Sequence, residues 1–199
     1  MKDEGVIKFK YSWIQERPMP YEWISELNKW RDKLYKAGLV GKDTNGVGYG
    51  NISIRLERNN FIITGSGTGS LTKLNAEHYS KVTAYDLTKN MLTSVGPVKA
   101  SSESLTHAAI YEAVPELNVV FHIHHLALWE KLQTRLPFTA KHIEYGTTAM
   151  AGEIARLLKD PQVLQQGIVA MGGHREGVLS FGKNLEDAGR SIDKWLVAP

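Results

Sequence analysis

Between Tyr21 and Leu39 four bulky apolar residues, Trp23, Leu27, Trp30 and Leu34, recur at steps of four, three and four, with Lys29, Lys33 and Lys36 between them. That spacing predicts an amphipathic helix stopping around Gly38. The polar, glycine-rich stretch from Val40 to Gly50 reads as a connector. Beyond it Ile52, Ile54 and Leu56 alternate with Ser53 and Arg55, the period of a half-buried strand. Arg58-Asn59-Asn60 reads as a turn into a second strand, Phe61 to Thr64, making a hairpin. After the loop GSGTGSLT the pattern predicts a short helix near Leu74 to Ser80 and a strand around Val82 to Asp86. Ser101 and Ser102 precede Glu103 and the apolar run Leu105, Ala108, Ala109 and Val114, so a helix is expected to start at the serines and close at Pro115. Leu117 to Phe121 reads as a buried strand running into His122-Ile123-His124-His125. A helix over Thr148 to Leu158, strands near Ile168 to Met171 and Val178 to Phe181, and a last helix over Leu185 to Leu196 complete the pattern. Strands outnumber crossover-length helices, which points to an α/β fold whose mainly antiparallel sheet is covered by helices.

At 199 residues with 42% hydrophobic positions, the chain is expected to form one domain around a substantial core. The net charge of +3 is spread along the chain, too weak a bias for nucleic acid but compatible with a small anion. With no cysteine, disulfides, thiolate metal sites and a cysteine nucleophile are excluded, so any metal must be held by nitrogen and oxygen. Charges at Lys2, Asp3, Glu4 and Lys8 leave no apolar leader, and no run of eighteen apolar residues occurs. A cytoplasmic protein without a membrane partner is the default expectation.

His122 and His124 carry the strongest chemical signal, because residues two apart on a strand face the same side and can reach one ion. Alone, each serves equally well as a core hydrogen-bonder. His125 points away under the same geometry. A third ligand must come from elsewhere, and His174, in a glycine-flanked loop between two short strands, is a candidate. Glu103 suits the first turn of a helix electrostatically, a bland role as well founded on spacing alone as a catalytic one. His107, four residues on, reads as a packing or hydrogen-bonding residue. The loop Thr64 to Ser70 could wrap an anion with backbone amides, or could simply be a flexible turn. It lacks the Lys-Ser or Lys-Thr pair of a phosphate-binding P-loop, and no G-x-S-x-G surrounds Ser102.

In order, these pieces resemble the class II aldolase and adducin family from about Leu27 to Leu196. The resemblance rests on KAGLV, Gly50-Asn51-Ile52-Ser53, ITGSG, Ala100-Ser101-Ser102-Glu103, His122-Ile123-His124, and Gly173-His174 with Gly177. It implies an α/β/α sandwich around a mainly antiparallel sheet, assembled as a homotetramer with active sites at subunit interfaces. It also implies a divalent ion, most often zinc, on His122, His124 and His174. Glu103 would be the acid/base, with a substrate phosphate among Asn51, Ser66, Gly67, Ser101 and Ser102. The implied reaction is aldol cleavage of a short phosphorylated ketose through a zinc-stabilised enediolate. A 4-epimerase, a dehydratase and an adducin-like non-catalytic module are the alternatives; related epimerases carry aspartate where this chain has Glu103.

Two departures stand out. The segment Leu136 to Gly146 is shorter than the aldolase loop that delivers a tyrosine from a neighbouring subunit, leaving Tyr145, Glu144 and His142 as substitutes. His174-Arg175-Glu176-Gly177 replaces a plain His-Gly, adding a charged pair beside the expected ion. Of the tryptophans, Trp23, Trp30 and Trp195 are expected in packing, and Trp129 alone near substrate. The first twenty residues fall outside the resemblance and are assigned no role.

Overall fold

Alternation along the strands sorts side chains to two faces, and each face is closed by its own helices. The computed structural model describes residues 5–197, so Lys2, Asp3 and Glu4 lie outside the described residues. Among these residues ten strands run in chain order: β1 Lys10–Gln15, β2 Gly41–Lys42, β3 Gly48–Tyr49, β4 Asn51–Glu57, β5 Asn60–Thr64, β6 Tyr79–Asp86, β7 Met91–Gly96, β8 Val119–His124, β9 Ile168–Ala170 and β10 Gly177–Gly182. Six helices are interspersed: α1 Ser25–Lys36, α2 Ser104–Ala113, α3 Leu126–Arg135, α4 Thr148–Leu157, α5 Pro161–Gln166 and α6 Leu185–Val197. Eight strands form one sheet in the order β1-β7-β6-β5-β4-β8-β10-β9, while β2 and β3 pair separately. Every neighbouring pair in the large sheet is antiparallel except β1 and β7.

On one face Phe61, Ile63, Val120 and Leu179 pack with Leu105, Ala108 and Ala109 of α2 and Met150 and Ile154 of α4. On the other, Ile52, Ile62, Phe121 and Val178 pack with Leu27 and Leu34 of α1, Leu128 and Leu132 of α3, and Ile192 of α6. The result is the expected α/β/α sandwich. Burying both faces of β8 explains why all six of its residues are inaccessible. His122 and His124 share the parity of Val120 and therefore face the α2 side.

Several boundaries differ from those predicted. Tyr21–Trp23 is a separate 3-10 turn before α1, and Trp23 is half exposed rather than packed. The Gly38 stop is observed: it takes φ +72°, and the Leu39 amide returns to the Leu34 carbonyl in a Schellman-type closure. The helix expected near Leu74 to Ser80 is only a 3-10 turn, Ala76–His78, because Tyr79 is already taken by β6. The α2 helix begins at Ser104 and not at the serine pair. Ser101 instead closes the preceding turn, its Oγ accepting from the Glu103 amide at 3.3 Å. β1, β7 and α3 carry no pattern that predicted them.

Candidate metal centre

β8 lies between β4 and β10, and its last turn of side chains brings the chemistry together. In register, Asn51 of β4 faces His122, and Gly177 of β10 faces His124. His174 comes from the hairpin between β9 and β10, which is closed by the Met171 amide on the Gly177 carbonyl (2.9 Å) and the Gly177 amide on the His174 carbonyl (2.9 Å). A Cβ at Gly177 would lie 2.3 Å from His174 Cδ2, so only glycine leaves room for that imidazole. The three rings pack against one another with centroids 4.8 to 5.2 Å apart. One nitrogen of each lies within 4.8 Å of the others, a triad that could hold a metal ion. The Nε2 atoms of His124 and His174 are 3.1 Å apart. A tetrahedral ion with arms of about 2.05 Å to nitrogen sets its ligands about 3.3 Å apart, so the donor set and its spacing fit a divalent ion.

Glu103 completes the group. It occupies the position before α2 without capping the helix through its side chain. Its carboxylate is turned inward, with Oε2 against His122 Nδ1 and accepting from Asn51 Nδ2 at 3.3 Å. A carboxylate behind a ligating imidazole fixes the tautomer and raises ligand basicity. Glu103 Oε1, 3.8 Å from His174 Nε2, has no hydrogen-bond partner among the described residues. Burial alone would raise this carboxyl's pKa. The adjacent His122, then His174 and His107, outweigh it and hold the group well below the usual carboxylate range. Burial pushes His107 down to about 3, against the partly opposing charge of Glu103. Its Nδ1 lies 2.7 Å from Ser53 Oγ, which also contacts Tyr111 Oη at 2.6 Å. The expected hydrogen-bonding role of His107 is what the structure contains. His125 turns away and caps α3, accepting from the Leu128 amide.

Two of the segments that hold residues expected around a phosphate, 64–70 and 100–103, are tied by an isolated bridge between Gly65 and Ala100. The bridge is antiparallel, so Ser66 lies opposite Lys99 while Ser101 and Ser102 continue on the Thr64 side; Asn51 meets the serine segment through Glu103. The Ser66 amide is already spent on the Lys99 carbonyl (2.8 Å). What the loop offers an anion is the Ser66 hydroxyl and the amide of exposed Gly67, which sits at φ +75°.

An open cleft of about 740 Å³ reaches His174, lined by Lys8, Lys42, Tyr49, Tyr145, Arg175 and Glu176 among others. Tyr49 stacks on His124 with centroids 5.0 Å apart, and Tyr145 lies 4.9 Å from His174. The Arg175-Glu176 insertion therefore does border the triad. None of the five expected phosphate residues lines this cleft. Trp129 braces the site from outside, its Nε1 donating to the Met171 carbonyl at 2.8 Å at the foot of the His174 hairpin. Tyr49 and Lys8 were not foreseen. The Gly-Tyr-Gly run before Asn51 was the only available hint of Tyr49, and nothing nearby in sequence marks Lys8.

The sequence profile described as "Class II Aldolase and Adducin N-terminal domain" matches residues 33–193. A curated relative, the 3-oxo-tetronate 4-phosphate decarboxylase of Haemophilus influenzae, is 36% identical over 77 residues, 39% of this chain. That alignment spans only 33% of the relative's length. Among solved structures, an L-fuculose 1-phosphate aldolase superposes with a TM-score of 0.65 at 21% identity, covering 89% of this chain and 82% of that one. YgbL of Klebsiella pneumoniae, titled a putative aldolase/epimerase/decarboxylase, gives 0.64 at 22% identity, covering 88% and 86%. At such identities these structures bear on the fold alone.

Proposed function

This chain belongs to the class II aldolase and adducin family, and from that membership we propose that it is a metal-dependent carbon–carbon lyase acting on a small phosphorylated sugar derivative. One observation carries the reading: His122, His124 and His174 converge on a point faced by Glu103 Oε1, a buried oxygen with no hydrogen-bond partner among the described residues. A divalent ion, zinc by the chemistry of three neutral imidazoles, would supply positive charge where negative charge develops beside the substrate carbonyl.

Glu103 takes the proton of the hydroxyl whose loss starts aldol cleavage, and can return it to the carbon fragment left behind. Asn51, bonded to the same carboxylate, keeps its other oxygen turned inward. The Ser66, Ser101 and Ser102 hydroxyls, the Gly67 amide and Asn51 anchor a phosphate, fixing the reacting carbons over the triad. Active sites at the interfaces of a homotetramer belong to the same proposal.

A second reading is favoured by the decarboxylase alignment. Loss of carbon dioxide from a 3-oxo acid and retro-aldol cleavage leave the same kind of charge, an electron pair beside a carbonyl. They differ in that decarboxylation needs no base to remove a hydroxyl proton. The test is to incubate metal-loaded protein with L-fuculose 1-phosphate and other ketose 1-phosphates, and separately with 3-oxo-tetronate 4-phosphate. A triose phosphate from the first group supports the aldolase, and carbon dioxide from the second the decarboxylase. An epimerase or dehydratase would leave the carbon count unchanged. No carbon–carbon cleavage in any arm, with metal bound, overturns the lyase reading. Failure to retain any divalent metal favours a non-catalytic module.

A further inference from the structure

Residues 5–15 precede the family-matched stretch, yet they reach the triad site from two directions. β1 pairs parallel to β7, and Tyr11 Oη from this strand accepts from the Ala100 amide at 2.6 Å, bracing the segment that leads to Glu103. Just before β1, Lys8 is held by its carbonyl, which accepts from Asn90 Nδ2 at 2.9 Å. Its side chain crosses to the loop between α3 and α4. There Nζ lies 2.9 Å from Glu144 Oε2 and 4.2 Å from the centroid of the Tyr145 ring. Tyr145 is buried and packs on His174. Gly146, at φ +70°, closes the junction: a Cβ there would lie 3.1 Å from the Ser102 carbonyl and 3.7 Å from Lys8 Cβ.

The geometry points to Lys8 as a positioning residue of the active site, latching the Glu144-Tyr145 loop so that the Tyr145 ring forms the wall of the cleft beside His174. This rests on the lyase reading above. The ion pair itself is weak, since the Glu144 side chain is 66% exposed. The cation over the face of a buried ring adds direction, because the ammonium can satisfy both partners only when the loop is closed. A segment assigned no role by resemblance is thereby part of the catalytic unit, and its influence reaches the reacting atoms only through Tyr145 and His174.

The experiment compares Lys8→Met, Lys8→Arg and Glu144→Gln in the full chain, reading hydrogen exchange at amides 143–147, metal content, and kcat and KM on the substrate the wild type turns over. Lys8→Met and Glu144→Gln are expected to speed exchange at 143–147 and lower kcat by roughly 10- to 100-fold, as misplaced site walls do, with metal content unchanged. Lys8→Arg, which keeps the charge over the ring, is expected to restore both. Unchanged exchange and kcat in Lys8→Met overturn the latch. So does a kcat loss without faster exchange, which would make Lys8 a direct substrate contact. If the wild type cleaves nothing, the lyase reading fails, while the exchange comparison still decides whether Lys8 holds the loop.

Discussion

Arg31 and Glu103 are both ionisable and both only 1% exposed, yet their surroundings are built in opposite ways. The Arg31 guanidinium donates to the carbonyls of Thr68, Gly69 and Thr72 at 3.2 Å and also to that of Leu71. Its cation is matched by aligned carbonyl dipoles, with Asp32 3.7 Å away and the Tyr35 ring beneath it. That cluster pins the loop after Gly67, and only Nε of the guanidinium is without a hydrogen-bond partner among the described residues. Glu103 gathers three histidines and Asn51 around it but leaves Oε1 without a hydrogen-bond partner among the described residues. A buried ion whose charge is met almost wholly by backbone carbonyls of the fold maintains that fold. One held short of a partner, with other donors aimed at the same point, is where a ligand belongs.

Substitution tests that contrast. Arg31→Ala leaves four carbonyls without their donor and should cost on the order of 3–5 kcal/mol in urea denaturation. Glu103→Gln should weigh on function instead: a fall in turnover of roughly 10²- to 10⁴-fold, with a smaller loss of folding stability than in Arg31→Ala. If the glutamine variant unfolds while the alanine variant is as stable as wild type, the contrast is wrong.

Acid should find the functional cluster first. His107 stays neutral until about pH 3 in the folded protein, against an ordinary value of 6.5. Between those values the unfolded chain binds a proton that the native chain refuses. Stability is therefore flat above pH 6.5 and falls below it, by about 1.4 kcal/mol per pH unit from this group. Glu103, shifted downward, adds a loss below about pH 4.5 in the same direction. Urea midpoints measured from pH 7 to 4 check this, and His107→Asn should reduce the slope between pH 6.5 and 4.5 without abolishing it, because burial also holds down His124 and His174. The smallest effect belongs to Glu176, a non-glycine residue at φ +69° in the hairpin that carries His174. Glu176→Gly should raise the melting temperature by the equivalent of up to about 1 kcal/mol, and no gain would mean that the hairpin stores no backbone strain.

Much of this site was legible before any coordinates. Period two alone put His122 and His124 on one face, and the glycines around His174 marked a loop able to present it. The family resemblance supplied the roles proposed for Glu103 and the serines. The start of α2 was misplaced because local rules favour serine as a cap. Ser101 and Glu103 follow a different logic, since the carboxylate is more valuable against His122 than on the helix end. Trp23 was misjudged because a stripe at helical spacing ignores where the helix begins.

Local periodicity determined the alternating strands, most helices and the pair of histidines, because each depends on neighbours within a turn or a pleat. Only the tertiary structure decided that β1 joins the sheet parallel to β7, that Asn51 meets Glu103 across 52 positions, and that Lys8 reaches Glu144 across 136. Those pairings are made between elements already packed. Their geometry is set by sheet order and register, and neither leaves a periodic mark in the chain.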